Sequence, residues 1–164
     1  MAAETIATWD WPAIQAVTTG LAGKAAADGP PNAVVGILRG GMVPAVMIAH
    51  ELRLRDVRAL EITHTVADGV NAAKLNEPVL RHAATLGDLT GRDVLLIDDV
   101  AGSGRSLRLA VACVRAARPA RLRTAVCAVN DHNWRAANDH DPSRSITYIG
   151  LRHNGWVIFP WEKR

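Results

Sequence analysis

Two adjacent carboxylates, Asp98 and Asp99, close an apolar run in the segment VLLIDDVAGSGRSL, residues 94–107. The small residues that follow can turn their backbone N–H groups inward around a phosphate, next to the positive end of a helix. Carboxylates suit hydroxyl groups and divalent cations instead. The segment therefore points to a ligand that carries both hydroxyls and phosphates, such as a phosphorylated sugar.

Other phosphate-binding loops match this segment less well. A nucleoside triphosphate loop ends in Gly-Lys-Ser/Thr, and this segment has no lysine. A dinucleotide fingerprint needs a third glycine where Leu107 stands, and it does not place two carboxylates ahead of the loop. Paired aspartates can also cap a turn or mark a phosphoryl-transfer site, so the residues alone leave these two alternatives open.

The elements around this segment alternate between helical and strand patterns, which predicts an α/β fold with a mostly parallel sheet flanked by helices. Asp10 can cap the first helix, with Pro12 in its first turn. Ligands of open α/β sheets bind beyond the carboxyl ends of the strands, where Asp98 and Asp99 fall. We expect strands at 33–38, 57–63, 93–97, 124–129 and 146–151, and helices after residue 10, at 42–52 and through 107–114.

The length of 164 residues predicts a single domain, residues 1–164. No apolar run approaches the roughly 20 residues of a membrane helix, and the N-terminus lacks a basic segment followed by a long apolar one. We therefore expect a cytoplasmic protein with no membrane partner. Residues 65–80 lose periodicity, which predicts a long mobile loop and a candidate lid over the ligand.

Cysteines, histidines and arginines give weaker signals. Cys113 and Cys127 match no metal or redox spacing and are expected to be reduced packing residues. The six histidines show no zinc-ligand spacing and are expected at the surface or in a second layer, although His132 follows a predicted strand and can contact a base. An arginine cluster can attract nucleic acid, but arginine also suits phosphorylated small molecules, so nucleic acid is not the expected partner. The cluster comprises Arg115, Arg118, Arg121 and Arg123.

Three segments together resemble the type I phosphoribosyltransferases. Residues 94–107 resemble the family's binding motif for phosphoribosyl pyrophosphate (PRPP), and GILRGGMVPAVMIAHEL, residues 36–52, is similar to its pyrophosphate loop and helix. The ending GWVIFPWE, residues 155–162, is similar to the base-binding end of the xanthine-guanine and hypoxanthine branch. The resemblance implies the type I phosphoribosyltransferase fold with a small C-terminal hood at 150–164. It also implies an enzyme that transfers ribose 5-phosphate from PRPP to a nitrogenous base and releases pyrophosphate.

The resemblance assigns roles at the sugar and its phosphates. Asp98 and Asp99 would be the catalytic and metal-binding residues, holding the ribose hydroxyls directly or through Mg²⁺, because carboxylates stabilise a cation-like sugar. Arg39, Gly40 and Gly41 would form the pyrophosphate loop, with a cis peptide after its first residue. Arg81 is either a further pyrophosphate contact or an ordinary solvated charge. The residues implied at the 5-phosphate are Ala101, Gly102, Ser103, Gly104, Arg105 and Ser106.

At the base, the resemblance implies that Trp156 stacks on the ring, Val157 offers main-chain hydrogen bonds, and Asn130 contacts an edge. The 6-oxopurine branch usually has an acid where Gly102 stands and a lysine near Asn130. These departures affect the acceptor base and not PRPP. A purine of the hypoxanthine, guanine or xanthine type is the expected acceptor. The alternatives are a non-standard heterocycle of specialised metabolism and a PRPP-sensing regulatory protein. The resemblance further implies a homodimer or homotetramer.

Overall fold

A six-stranded sheet forms the centre of the computed structural model, which describes residues 5–67 and 72–162. Its strand order is β4-β3-β2-β5-β6-β7, and β1 and β8 form a separate two-stranded sheet. The strands are β1 (Thr5–Thr8), β2 (Ala33–Leu38), β3 (Val57–Thr65), β4 (Lys74–Leu80), β5 (Asp93–Ala101), β6 (Arg121–Asn130), β7 (Tyr148–His153) and β8 (Gly155–Ile158). The helices are α1 (Trp11–Ala27), α2 (Met42–Glu51), α3 (Arg105–Ala116) and α4 (Asp131–Ala137).

The pairing of the strands confirms the predicted mostly parallel sheet. Strand β2 pairs in parallel with β3 and β5, and β5 and β7 pair in parallel with β6. Among the strands of the described residues, only the edge strand β4 runs antiparallel, against β3. The carboxyl ends of β2, β5 and β6 therefore meet at one edge of the sheet, where the turns after Leu38, Ala101 and Asn130 begin.

Helices cover both faces of the sheet, and β5 is buried on both sides. Val94 and Leu96 belong to the core cluster under α3, whereas Leu95 and Ile97 belong to the cluster under α1 and α2. A strand covered on both faces has no polar side to expose, so its sequence is continuously apolar rather than alternating. This burial fixes the position from which Asp98 and Asp99 extend.

The first helix begins as the sequence predicts. The Asp10 side chain accepts a hydrogen bond of 2.8 Å from the backbone N–H of Ala13, and Pro12 lies in the first turn, where its missing N–H costs nothing. The inner face of α1 includes the buried Ile14 and Leu21. Helix α1 packs on α2 and on β6 and β7, and it therefore supports the sheet from the side opposite α3.

The predicted loop at 65–80 is partly wrong, because Lys74–Leu80 form strand β4. Leu80 lies opposite Ile62 and Lys74 opposite Thr65, with a register shift between Thr63 and Thr65. Strand β4 lies at the edge of the sheet, where a proline such as Pro78 is tolerated. The strand is also only partly covered by the rest of the fold, so its sequence lacks the apolar alternation by which a strand is usually predicted. Residues 68–71 lie outside the described residues, and the mobility of the segment stays a prediction.

Several further differences concern the chain ends and the charged residues. The sequence patterns did not indicate β1, α4 or β8; β8 belongs to the predicted hood at 150–164, whose residues 163–164 lie outside the described residues.

Arg123 is buried and paired with Asp93 at 2.7 Å, so the four clustered arginines are not one exposed patch. Both cysteines are free, as predicted. Among the described residues, no helix is long and apolar enough to cross a membrane.

Candidate active site

A cleft opens at the carboxyl ends of the parallel strands and gathers residues that are far apart in sequence. Its lining includes Asp98, the whole turn 101–106, Asn130, Trp156 and Val157. The structure thus brings together the predicted sugar, 5-phosphate and base residues. Their roles stay predictions, but the cleft offers the Asp98 carboxylate, backbone N–H groups and an indole face in one connected space.

The two carboxylates at the end of β5 have unusual proton affinities. Asp98 is only 8% exposed, and burial, followed by repulsion from Asp99, raises the pKa of Asp98 well above its ordinary value. Burial also raises the pKa of Asp99 to about 6, although its carboxylate accepts a hydrogen bond from the backbone N–H of Val100 at 2.8 Å. A cation or a hydroxyl donor that enters the site would therefore stabilise the ionised form of each carboxylate.

The turn after β2 packs directly against these carboxylates. A Cβ atom on Gly40 would collide with the Asp99 carboxylate, and one on Gly41 would lie 2.8 Å from the Asp98 Cα. Glycine is thus required at both positions because the turn packs closely against β5, and not because of the backbone dihedral angles of the turn. The cis peptide expected after Arg39 lies one bond earlier, between Leu38 and Arg39. No residue type in this turn marks which bond is cis, so the sequence did not distinguish the two positions. Arg39 is exposed, and none of these three residues lines the cleft itself.

The turn 101–106 leads directly into α3. Gly104 has a φ of 75°, a left-handed conformation that favours glycine, and α3 begins at Arg105. Asn138 donates to the backbone carbonyl of Ser103 at 3.1 Å and fixes the outer side of the turn. The Arg105 guanidinium donates to the Asn76 carbonyl at 3.0 Å, so it ties the start of α3 to β4.

Two cleft residues were missed by the sequence analysis. His64, expected at the surface or in a second layer, lines the cleft with its Nδ1 3.4 Å from the Ser106 hydroxyl, and Lys74 of β4 lines it as well. Burial, followed by the charges of Lys74 and Arg105, lowers the pKa of His64, which favours the neutral imidazole. His64 directly follows the predicted strand 57–63. Ligands bind beyond the carboxyl ends of such strands, so the argument that identified Asp98 also predicts His64 as a cleft residue. Lys74 carried no such signal because its strand was not predicted.

The base end of the cleft is organised by the start of α4. The Asn130 side chain, 2% exposed, accepts a hydrogen bond from the backbone N–H of Asn133 at 3.1 Å and caps this helix. Because a backbone N–H is a donor, the capping atom is the Asn130 oxygen, and the amide NH₂ is the group that remains for a ligand. Trp156 is partly exposed, whereas Val157 is buried and lies opposite Ala7 in the β1–β8 pair.

Two other candidates lie elsewhere. The backbone N–H of Arg81 donates to the Glu61 carbonyl at 3.0 Å, and its exposed side chain is not part of the cleft lining. His132 is exposed on α4 and also lies outside the lining. Within residues 5–67 and 72–162, no three His, Cys, Asp or Glu side chains are grouped so that they could hold a metal ion. A cation at Asp98 and Asp99 would thus need further ligands from a bound substrate.

Comparisons with known proteins agree with this geometry. The phosphoribosyl transferase domain family matches residues 8–162. Xanthine-guanine phosphoribosyltransferase of Ruegeria sp. (strain TM1040) is 32% identical over 138 residues, covering 82% of this chain and 70% of that protein. The enzyme of the same name from Cereibacter sphaeroides (strain ATCC 17025 / ATH 2.4.3) is 30% identical over 157 residues, covering 93% and 84%.

Solved structures show the same fold at lower identity. A purine phosphoribosyltransferase from Pyrococcus horikoshii superposes with a TM-score of 0.74 at 23% identity, covering 97% of this chain and 95% of that chain. Xanthine-guanine-hypoxanthine phosphoribosyltransferase of Helicobacter pylori gives a TM-score of 0.73 at 17% identity, covering 96% and 94%. Both likenesses extend over nearly the whole chain, including the strands that carry the cleft.

Proposed function

The chain belongs to the phosphoribosyltransferase family, and we propose that it transfers ribose 5-phosphate from PRPP to a purine-like base and releases pyrophosphate. It is a glycosyltransferase enzyme of the pentosyltransferase class. The observation that carries the proposal is the placement of Asp98 and the turn 101–106, which follow one another at the carboxyl end of β5 and line one cleft, with Asp99 next to Asp98 on the strand. Such an arrangement matches a ligand with hydroxyls and a phosphate on one sugar.

The carboxylates stabilise the sugar during transfer. The C1′–O bond to pyrophosphate breaks as the C1′–N bond forms, and the sugar carries positive charge in between. Asp98 and Asp99 are fixed by β5 before the substrate binds, so their negative charge needs no reorganisation when this positive charge develops. Their burial makes the interaction stronger than it would be in water.

Mg²⁺ fits this site as a partner of PRPP. Two adjacent carboxylates are oxygen ligands of the kind that Mg²⁺ prefers. Oxygen atoms of the pyrophosphate group would supply further ligands that do not come from the protein. When bound, Mg²⁺ offsets the charge of the leaving pyrophosphate. The backbone at Gly40 and Gly41, packed against Asp99 and Asp98, supports a pyrophosphate position beside the same carboxylates.

The acceptor base would occupy the end of the cleft near Trp156 and Asn130. An indole face suits a planar heterocycle, and the Asn130 amide donates to an oxo group. The names of the curated relatives favour a purine. Gly102 and Asn130 favour the second candidate, a non-standard heterocycle, because no carboxylate stands at the base edge where the purine branch usually has one.

The test is a reaction of the full chain with PRPP, Mg²⁺ and a panel of purine, pyrimidine and other heterocyclic bases, read by mass spectrometry. We expect a new nucleoside monophosphate and equimolar pyrophosphate, both absent without PRPP. The Asp99→Asn protein serves as the negative control. A chain that binds no PRPP and yields no nucleotide would contradict the proposal, and PRPP binding without product from any base would favour the regulatory alternative.

The same family relationship supports a proposal on assembly and location. We propose that the protein is a homodimer or homotetramer. We also propose that it is cytoplasmic, because an enzyme that consumes PRPP acts where PRPP is made. Light scattering measures the assembly directly, and a particle with the mass of one chain would contradict an oligomer.

A further inference from the structure

The base end of the cleft is lined by hydrogen-bond donors and a cation. At Gly102, a Cβ atom would lie 3.6 Å from the Asn133 amide nitrogen and 3.9 Å from the Lys74 ammonium nitrogen. The Asn130 oxygen is used to cap α4, which leaves the Asn130 NH₂ to donate. Asp98, on the sugar side, is the one carboxylate among the described lining residues. A ligand at this end is therefore met by N–H groups and by positive charge.

Lys74 is held in this position by its neighbours on β4. The Arg105 guanidinium donates to the Asn76 carbonyl at 3.0 Å and lies 3.8 Å from the Glu77 carboxylate, which fastens β4 to the start of α3. Lys74 lies opposite Thr65 in the β3–β4 pair. The ammonium group thus approaches the turn after β5 from an edge strand anchored at two points.

The positive field of Lys74 acts inside the cleft. Burial is the main cause of the lowered pKa of His64, and the charges of Lys74 and Arg105 lower that pKa further. The same charges make the protonated imidazole unfavourable, so His64 is a poor acceptor for a proton from a base. His64 also contacts Ser106, at the far end of the turn from Gly102. At the base end, no described side chain is suited to remove a proton from the incoming ring.

We propose that the acceptor enters as an anion, a planar heterocycle whose ring N–H is already ionised, and that Lys74 is the specificity-determining residue for this charge. The inference rests on the proposed function. The ring nitrogen supplies the electron pair of the new C1′–N bond, and pyrophosphate leaves with the pair of the broken C1′–O bond. No proton has to be transferred, which matches a base end at which no described side chain is suited to accept one.

The test compares acceptors of equal shape and different acidity. Replacing C8–H of hypoxanthine or guanine by nitrogen gives the 8-aza analogues, whose five-membered ring is more acidic at nearly constant size. We expect kcat/KM at neutral pH to be higher for each 8-aza analogue than for its parent by about tenfold or more, the scale of a hydrogen bond to a charged group. Equal values for analogue and parent would overturn the inference.

Two variants assign the preference to Lys74. Lys74→Gln should reduce kcat/KM for the 8-aza analogue by about tenfold and leave the KM for PRPP unchanged. Gly102→Asp, whose Cβ meets its neighbours at ordinary contact distances, should shift the preference toward the neutral purine. Lys24→Gln is the matched control, because Lys24 donates to the Ile149 carbonyl far from the cleft.

The outcomes separate this inference from the proposed function. A Lys74→Gln protein with a raised KM for PRPP and an intact 8-aza preference would make Lys74 a phosphate ligand and overturn the inference. PRPP binding, measured by calorimetry, tests the proposed function independently. PRPP binding with equal use of both acceptors overturns only the inference, whereas a protein that binds no PRPP overturns both.

Discussion

Gly40 lies so close to Asp99 that the two residues leave no space for a side chain on residue 40. The turn after β2 and the end of β5 are neighbours because β2 and β5 pair in parallel, with Gly36 opposite Ile97. The position of the proposed pyrophosphate loop and that of the proposed catalytic carboxylate therefore depend on each other. A side chain on residue 40 would displace the Asp99 carboxylate.

We predict that Gly40→Ala lowers turnover by about a hundredfold, because displacement of a reacting group by about 1 Å has effects of this size. Overpacking should also reduce the free energy of unfolding by about 1–3 kcal/mol. Steady-state kinetics and urea denaturation measure the two effects. Gly23→Ala is the control: Gly23 is an exposed helix residue, an added Cβ there would meet no described atom within 4 Å beyond its own helix backbone and chain neighbours, and alanine should stabilise the fold by about 1 kcal/mol.

The acidic pair predicts an unusual pH dependence of stability. The pKa of Asp99 is about 6 in the folded protein and lies near 3.8 for an ordinary carboxyl, so the folded state binds more protons than the unfolded state between these values. The raised pKa of Asp98 acts in the same direction. The contribution of this pair to stability is thus fully present below the unfolded value and is lost as the pH rises through the folded value.

Asp99→Asn should therefore raise the free energy of unfolding at pH 7 by about 1–3 kcal/mol while abolishing turnover. The gain should fade toward pH 4, where Asp99 of the unmodified protein is protonated. Denaturation between pH 4 and 8 in EDTA measures it. Asp139→Asn, at a fully exposed side chain, should leave the profile unchanged. An equal gain at pH 4 and pH 7 would show that burial of charge is not the cause.

The sequence predicted the parts of the site whose signals are local. An apolar run, two aspartates and small residues stand next to one another in 94–107, and Asp10 stands directly before the helix that it caps. These features depend on neighbours a few residues away, so the pattern of residue types is sufficient to predict them. The predicted α/β class followed from the same kind of local alternation.

The missed parts depend on contacts between distant segments. Strand β1 is recognisable only through its pairing with β8, in which Thr5 lies opposite Gly155. Lys74 reaches the cleft only because β4 folds back on β3 and Arg105 holds it there. Such positions follow from tertiary packing, which no short window of the sequence contains.

Gly104→Ala should weaken PRPP binding and destabilise the fold, because residue 104 has a positive φ and an added Cβ would lie 2.7 Å from the Trp134 ring. We expect a loss of about 1–3 kcal/mol in the free energy of unfolding. Calorimetry with PRPP and Mg²⁺ measures the binding. Gly102→Ala, in the same turn, meets its neighbours at 3.6 Å or more and should keep the stability of the unmodified protein. Equal destabilisation by both variants would argue against the left-handed turn.

Tyr148→Phe should affect the fold without affecting catalysis. The Tyr148 hydroxyl donates to the Asp28 carboxylate at 2.7 Å and accepts from the buried Arg123 guanidinium at 3.2 Å. These residues lie at the amino-terminal edge of the sheet, opposite the cleft. Removal of the hydroxyl should reduce the free energy of unfolding by about 1–2 kcal/mol and leave kcat unchanged. A fall in kcat at full occupancy of the folded state would contradict this separation.

Asn130→Ser distinguishes the two functions of the Asn130 amide. A serine hydroxyl can still accept the hydrogen bond from the Asn133 backbone N–H, so α4 stays capped, but the NH₂ group proposed to donate to the acceptor is gone. We expect the KM for the acceptor to rise roughly tenfold with the KM for PRPP unchanged. Asn130→Ala removes the cap as well and should cost about 1 kcal/mol more in unfolding free energy. If serine restored full acceptor affinity, the amide would act only through the helix and not on the base.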